Sequence, residues 1–124
     1  MGDDIQVPDT EALSNSLMDI AVESWRFGRV FERLLMKLDA GEQSRYQSQF
    51  RWFQKRLEES MDGAGLRIVN IEGQVFDPGV AASALNLDEF STDDQLVIDQ
   101  MIEPVIMGPK GLLRSGKVML RRIE

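Results

Sequence analysis

The stretch Met61-Asp62-Gly63-Ala64-Gly65-Leu66-Arg67-Ile68-Val69-Asn70-Ile71 divides the chain into two parts with different hydrophobic periods. Upstream of it, apolar residues recur every three or four positions, the spacing of one helix face. From Leu66 to Ile71 they alternate and are rich in branched side chains, which suits a β-strand. Gly63 and Gly65 end the helical pattern, because glycine weakens a helix interior and accepts the left-handed backbone that follows one. The expected fold class is α+β, with helices first and a small antiparallel β domain over residues 65–124.

Reading back from Met61, the residues Leu57, Phe53, Phe50 and Tyr46 outline one helix. Asp39-Ala40-Gly41 is expected to end an earlier one that starts near Thr10. In that first helix Leu13, Leu17, Ile20, Phe27, Phe31, Leu34 and Leu38 recur at helical spacing, and Met18, Val22 and Trp25 widen the stripe. A short connection predicts an antiparallel helical hairpin over residues 10–64. Residues 1–9, polar and containing Pro8, are expected to be loose. The apolar surface of the first helix exceeds what one neighbouring helix covers. Either the C-terminal region covers the rest or a second copy does. The simplest closed solution is a homodimeric four-helix bundle, with Leu17, Phe27, Phe31, Leu34, Phe50, Phe53 and Leu57 at its interface.

Reading forward, Gln74-Val75-Phe76 suits a short strand stopped by the turn Asp77-Pro78-Gly79. Ala81 to Leu87 fits a strand or a short helix equally. Leu96 to Met107 is apolar enough for one or two strands, interrupted at Pro104. Gly108-Pro109-Lys110-Gly111 reads as a hairpin turn and Lys117 to Ile123 as the last strand.

Composition narrows the function. The chain has 124 residues, no cysteine, no histidine and a net charge of −7. Disulfides, thiolate nucleophiles, structural zinc sites and the usual histidine base are thereby excluded. Nucleic acid is not an expected partner, since phosphate binding needs a cationic face. No stretch approaches the ~20 apolar residues of a membrane span, and the acidic Met1-Gly2-Asp3-Asp4 is unlike a signal peptide. A cytoplasmic protein with neither membrane nor small-molecule partner is expected. Charge is also segregated. No basic residue lies between Arg67 and Lys110, whereas Lys110, Arg114, Lys117, Arg121 and Arg122 follow without an acid among them. Opposite charges could pair across neighbouring strands, or form a polarised surface that steers a partner.

Three strings invite chemistry. Gly111-Leu112-Leu113-Arg114-Ser115-Gly116-Lys117 matches a phosphate-binding loop as far as the lysine. Val118 stands where a magnesium-holding hydroxyl belongs, and the residues after it read as a strand rather than a helix. Asp88-Glu89 with Asp93-Asp94 lacks the ligand spacing and central glycine of a calcium loop and reads as a solvated turn; no metal or other cofactor is expected. Trp25 and Trp52, with Arg26, Arg29, Arg51, Lys55 and Arg56 nearby, could stack single-stranded nucleic acid. Aromatics on amphipathic helices are more often core or dimer interface.

One resemblance spans residues 45 to 123. Phe50-Arg51-Trp52-Phe53-Gln54-Lys55-Arg56-Leu57, Gly65-Leu66-Arg67-Ile68 and Glu72-Gly73-Gln74-Val75-Phe76-Asp77-Pro78 follow one another as in the GrpE family, the nucleotide exchange factors of DnaK-type chaperones. Val97-Ile98-Asp99-Gln100-Met101 and Leu113-Arg114-Ser115-Gly116-Lys117-Val118-Met119-Leu120 resemble that family's strand before the hairpin and its closing strand. Ala81 replaces the histidine after the Asp-Pro turn, and Pro104-Val105 replaces a Gly-Tyr pair. The chain resembles a short member without the long coiled-coil stalk.

The resemblance implies a cochaperone rather than an enzyme, one that binds the nucleotide-binding domain of a DnaK-type chaperone and favours ADP release. Carried over by position, Phe76, Asp77, Pro78, Met101, Lys110 and Arg114 are the implied contacts. The plain structural alternatives are core roles for Phe76 and Met101 and a solvated charge for Lys110. A small acidic dimeric secretion or assembly chaperone, or an adaptor binding a client protein, is the second expectation.

Overall fold

The computed structural model describes residues 9–124, so all of the segment expected to be loose except Asp9 lies outside the described residues. Helix α1 runs Thr10–Leu35 and helix α2 Ala40–Gly63. The Asp9 carboxylate caps α1 by accepting from the Glu11 N–H at 3.0 Å. Asp39-Ala40-Gly41 does not close α1, as its turn-like composition predicts, but opens α2. The Asp39 carboxylate accepts from the Glu42 N–H at 3.0 Å, and Ala40 and Gly41 already lie in the first turn. An aspartate supplies an acceptor for orphan N–H groups, so it belongs at a helix start. The first helix closes earlier, through tight turns in which Lys37 and Leu38 donate to the carbonyls of Leu34 and Leu35. At the far end of α2, Gly65 takes φ +74° and the Leu66 N–H returns to the Met61 carbonyl at 2.9 Å.

Six strands follow: β1 Arg67–Val69, β2 Ala82–Ala84, β3 Leu96–Glu103, β4 Val105–Gly108, β5 Gly111–Arg114 and β6 Gly116–Arg122, with a 3₁₀ turn at Leu87–Glu89. They form two three-stranded sheets, in the orders β1-β4-β5 and β2-β6-β3. The α+β class holds, with helices preceding strands. Within the β region, the pairs of β3 with β6 and of β4 with β5 are successive parts of one long antiparallel hairpin. Glu103 pairs with Lys117 on one side of a corner and Ile106 with Arg114 on the other. The corner falls at Pro104, which has no N–H to give the ladder, opposite Ser115 and Gly116. A Cβ on Gly116 would lie 3.0 Å from Val105 Cγ2 and 3.1 Å from the Glu103 carbonyl oxygen, so a side chain there would crowd the corner.

Other elements take places that local pattern left open. Gln74–Phe76 runs along the outer edge of β3 through one bridge, Val75 to Val97. The Gln74 carbonyl accepts from Ile98, and the Phe76 N–H donates to Leu96, both at 2.9 Å. The ambiguous Ala81–Leu87 stretch supplies β2, which pairs parallel to β6 and departs from an all-antiparallel domain. The cause is topological. Residues 85–95 turn the chain back between β2 and β3, so these two flank β6 in opposite senses.

Two connected cores hold the fold. The first gathers Ile71, Leu96, Ile98, Met101, Val105, Val118 and Leu120 between the sheets, with Trp25, Phe76 and Phe90 packed against it. The second joins Met18, Ala21 and Val22 of α1 and Met61 of α2 to Leu66 and Ile106. The face of α1 that packs inward is thus the flank of the expected stripe. Its centre faces outward: Leu13, Ile20, Phe27 and Leu34, spaced by seven, are at least half exposed, and Phe27 is 67% exposed. Of the other residues assigned to a bundle interface, Phe50 is buried against α1, Leu17, Phe31 and Leu57 are half-buried, and Phe53 is exposed. The Phe31 and Phe50 rings meet at a tilt, 5.5 Å between centroids, and Gly28 lets the helices approach, since a Cβ there would meet the Phe50 ring at 3.2 Å. Among the described residues, no helix is long and apolar enough to cross a membrane.

Candidate docking surface

The end of the bent hairpin is one of the exposed parts of the β region. Gly108 and Gly111 pair across the turn, Gly111 with φ +121°, and Pro109 and Lys110 form the tip. Leu113 lies across Gly108, whose hypothetical Cβ would be 2.7 Å from Leu113 Cδ1, so the absence of a side chain there seats the leucine. Leu112 and Leu113 remain half exposed beside Lys110, which has no ion pair among the described residues. Short, half-apolar and unpaired on its outer edge, β5 suits contact with another protein. Neither leucine stands out in the sequence, because a strand of four residues is too short to show a period.

The six implied contact residues do not form one patch. Phe76 is half-buried against the first core. The Asp77 carboxylate accepts from the Gly79 N–H at 2.7 Å, so Asp77-Pro78 makes an exposed turn near the start of β3. Lys110 lies at the end of β4, beyond the length of β3 and the corner, and an eight-residue strand alone spans about 26 Å. Met101 is 1% exposed, which makes its side chain core and removes it from any contact surface. Arg114 is committed within the molecule: its guanidinium lies 2.8 Å from Asp19 Oδ1 and donates to the Asn15 carbonyl at 3.2 Å, fastening β5 to α1.

The reversed charges near the C-terminus pair across the sheet. Lys117 meets Glu103 at 3.1 Å, Arg121 meets Asp99 at 3.1 Å and Arg122 meets Asp94 at 3.6 Å. Each pair is partly exposed and contributes about 0–1 kcal/mol, so register rather than stability is what these contacts favour. The Asp94 carboxylate also accepts from the Ser91 N–H at 2.9 Å, so this part of the acidic cluster closes a turn. The string that resembles a phosphate loop is β5, a bend and the start of β6, with no helix N-terminus to face a phosphate. Among the described residues, no group of three or more acids forms a metal cluster.

A second contact set joins the helices to the sheet. The Trp25 indole donates to the Met101 carbonyl at 3.4 Å, and Glu72 accepts from both Arg29 and the Met101 N–H. These groups occupy the outer edge of β3 where Gln74–Phe76 no longer covers it, which blunts an otherwise open edge.

Comparison with protein-family models, with curated proteins and with solved structures finds no match for this chain.

Proposed function

We propose that the chain is a GrpE-like cochaperone, acting by protein binding, whose β hairpin docks on the nucleotide-binding domain of a DnaK-type chaperone and promotes ADP release. The observation that carries the reading is the hairpin end: Leu112 and Leu113 stand half exposed beside Lys110, which has no ion pair among the described residues, on a ladder whose base belongs to the core. Exposed apolar side chains next to a cation on a rigid support suit a protein contact with little ordering cost. The resemblance over residues 45–123 supplies the partner class. Exchange then requires only that the factor bind the open, nucleotide-poor chaperone better than the closed one, since differential affinity shifts the equilibrium. The exposed line Leu13, Ile20, Phe27 and Leu34 supports the homodimer.

Release of a fluorescent ADP analogue from the cognate DnaK-type chaperone is the direct test. Faster release on adding this protein supports the reading, and an unchanged rate together with no complex on a sizing column excludes it. The same exposed line on α1 would also suit holding an unfolded client. Recovery of a secreted client without any chaperone ATPase would favour that second reading.

A further inference from the structure

We propose that the solvent-facing side of α2 is a second docking surface, separate from the β hairpin, for an acidic amphipathic segment of a protein partner. Charge in the helical hairpin is divided between its two ends. From Ser24 to Leu57 lie Arg26, Arg29, Arg33, Lys37, Arg45, Arg51, Lys55 and Arg56 against only Glu32, Asp39 and Glu42. The other end, 9–23 together with 58–66, carries Asp9, Glu11, Asp19, Glu23, Glu58, Glu59 and Asp62 and no base.

Helix electrostatics accounts for half of this pattern. Acids at the start and bases at the end of α1 complement its dipole. Helix α2 runs the other way: its first turn holds the acidic Glu42 behind the Asp39 cap, its last turn holds no base, and Arg45, Arg51, Lys55 and Arg56 lie between. The dipole does not account for these mid-helix bases, and the hairpin sets them beside the basic half of α1, so like charges are gathered at one end. In the β region Lys117, Arg121 and Arg122 pair with local acids and Arg114 with Asp19 of α1, while Arg67 and Lys110 have no acid partner among the described residues. In the helical hairpin Arg33, Lys37, Arg45, Arg51 and Lys55 have none among them either.

An apolar anchor sits among these charges. Trp52 is 66% exposed, with the Arg56 guanidinium 5.7 Å from its ring centroid. Arg45 and Lys55 lie seven residues before and three after it, on the same side of the helix. Tryptophan and arginine are the residues that most often dominate protein interfaces. Trp52 lies on the side of α2 opposite Phe50 and Leu57, which pack toward α1, while its neighbour Phe53 borders the exposed line at Ile20 and Phe27. The ligand of this face is acidic by charge complementarity, with an apolar side chain to cover Trp52. An acidic protein segment fits better than nucleic acid, because it can set a few carboxylates opposite Arg45 and Lys55, whereas every nucleotide brings a phosphate against a chain of net charge −7.

The test uses the full chain and three fluorescein-labelled probes in low salt: a 20-residue Glu/Leu amphipathic peptide, its Lys/Leu counterpart and a thymidine 20-mer. Anisotropy should rise with the Glu/Leu peptide alone, and Trp52→Ala or the pair Arg45→Glu with Arg56→Glu should weaken binding by about tenfold or more. All these positions are exposed, and circular dichroism checks that the variants fold. Equal or tighter binding of the oligonucleotide overturns the proposal in favour of a nucleic-acid surface. So does an affinity for the Glu/Leu peptide that the substitutions leave unchanged, or no binding of that peptide at all. Chaperone-stimulated ADP release is a separate readout, so failure of hairpin docking and failure of this surface are told apart.

Discussion

Arg29 on α1 and Glu72, 43 residues later in the chain, form one of two ion pairs among the described residues that couple the helical hairpin to the β region, the other being Asp19 with Arg114. Glu72 also accepts from the Met101 N–H at 2.8 Å, so one carboxylate serves both a side chain and the sheet edge. Replacing it leaves a part-buried N–H and a guanidinium without their acceptor. Glu72→Ala should lower stability by about 1–3 kcal/mol in urea unfolding. Glu72→Gln, which keeps an acceptor oxygen, should lose less.

Gly116 carries the corner of the bent hairpin. A methyl group there would press on the Glu103 carbonyl oxygen, a backbone atom that cannot swing aside. Gly116→Ala should therefore destabilise by about 1–3 kcal/mol, read as a fall in the urea midpoint at constant slope.

The homodimer makes a prediction on α1. Phe27→Glu alters a side chain that makes no core contact in one protomer but lies in the middle of the exposed apolar line. Light scattering at micromolar concentration should give twice the chain mass for the unaltered protein and the single-chain mass for the variant, with little change in helical circular dichroism. A single-chain mass for the unaltered protein removes the bundle.

Leu112 and Met101 separate docking from folding. Leu112→Asp should abolish acceleration of ADP release while stability changes by less than about 0.5 kcal/mol, as expected of an exposed position. Met101→Ala should cost about 2–5 kcal/mol of stability, since it truncates a buried side chain, and should affect release only in proportion to the fraction unfolded.

What was legible in the sequence depended on how locally each feature is determined. The helix-to-strand change at Gly63–Gly65 was readable because glycine acts on its own backbone, and the break at Pro104 because proline does. The turn at Asp39 was misassigned although the signal was present: an aspartate followed three residues later by Glu42 marks a helix start as well as a helix end. The buried side of α1 was not legible. Its apolar surface is wider than one protomer covers, and helical periodicity does not say which part of a wide stripe meets the sheet. The parallel pairing of β2 depends on where the chain goes over the next ten residues, and four-residue β5 is too short to show a period. Among the implied contacts, Lys110 was readable from its turn. The burial of Met101 and the engagement of Arg114 by Asp19 depend on residues 76 and 95 positions away.

The corner between Pro104 and Gly116 also limits how this chain could change its length. Both arms of the hairpin pass through it in register, Glu103 with Lys117 before it and Ile106 with Arg114 after it. One residue added to a single arm would turn the side chains beyond it to the opposite face unless a further bulge took it up, as the register shifts between Met101 and Glu103 and between Ile106 and Met107 do. Matched changes in both arms at the tip would lengthen or shorten the projecting end while the base stayed in place. The hairpin is thus an adjustable reach: its distance from the core could be tuned to a partner without redesign of the core itself.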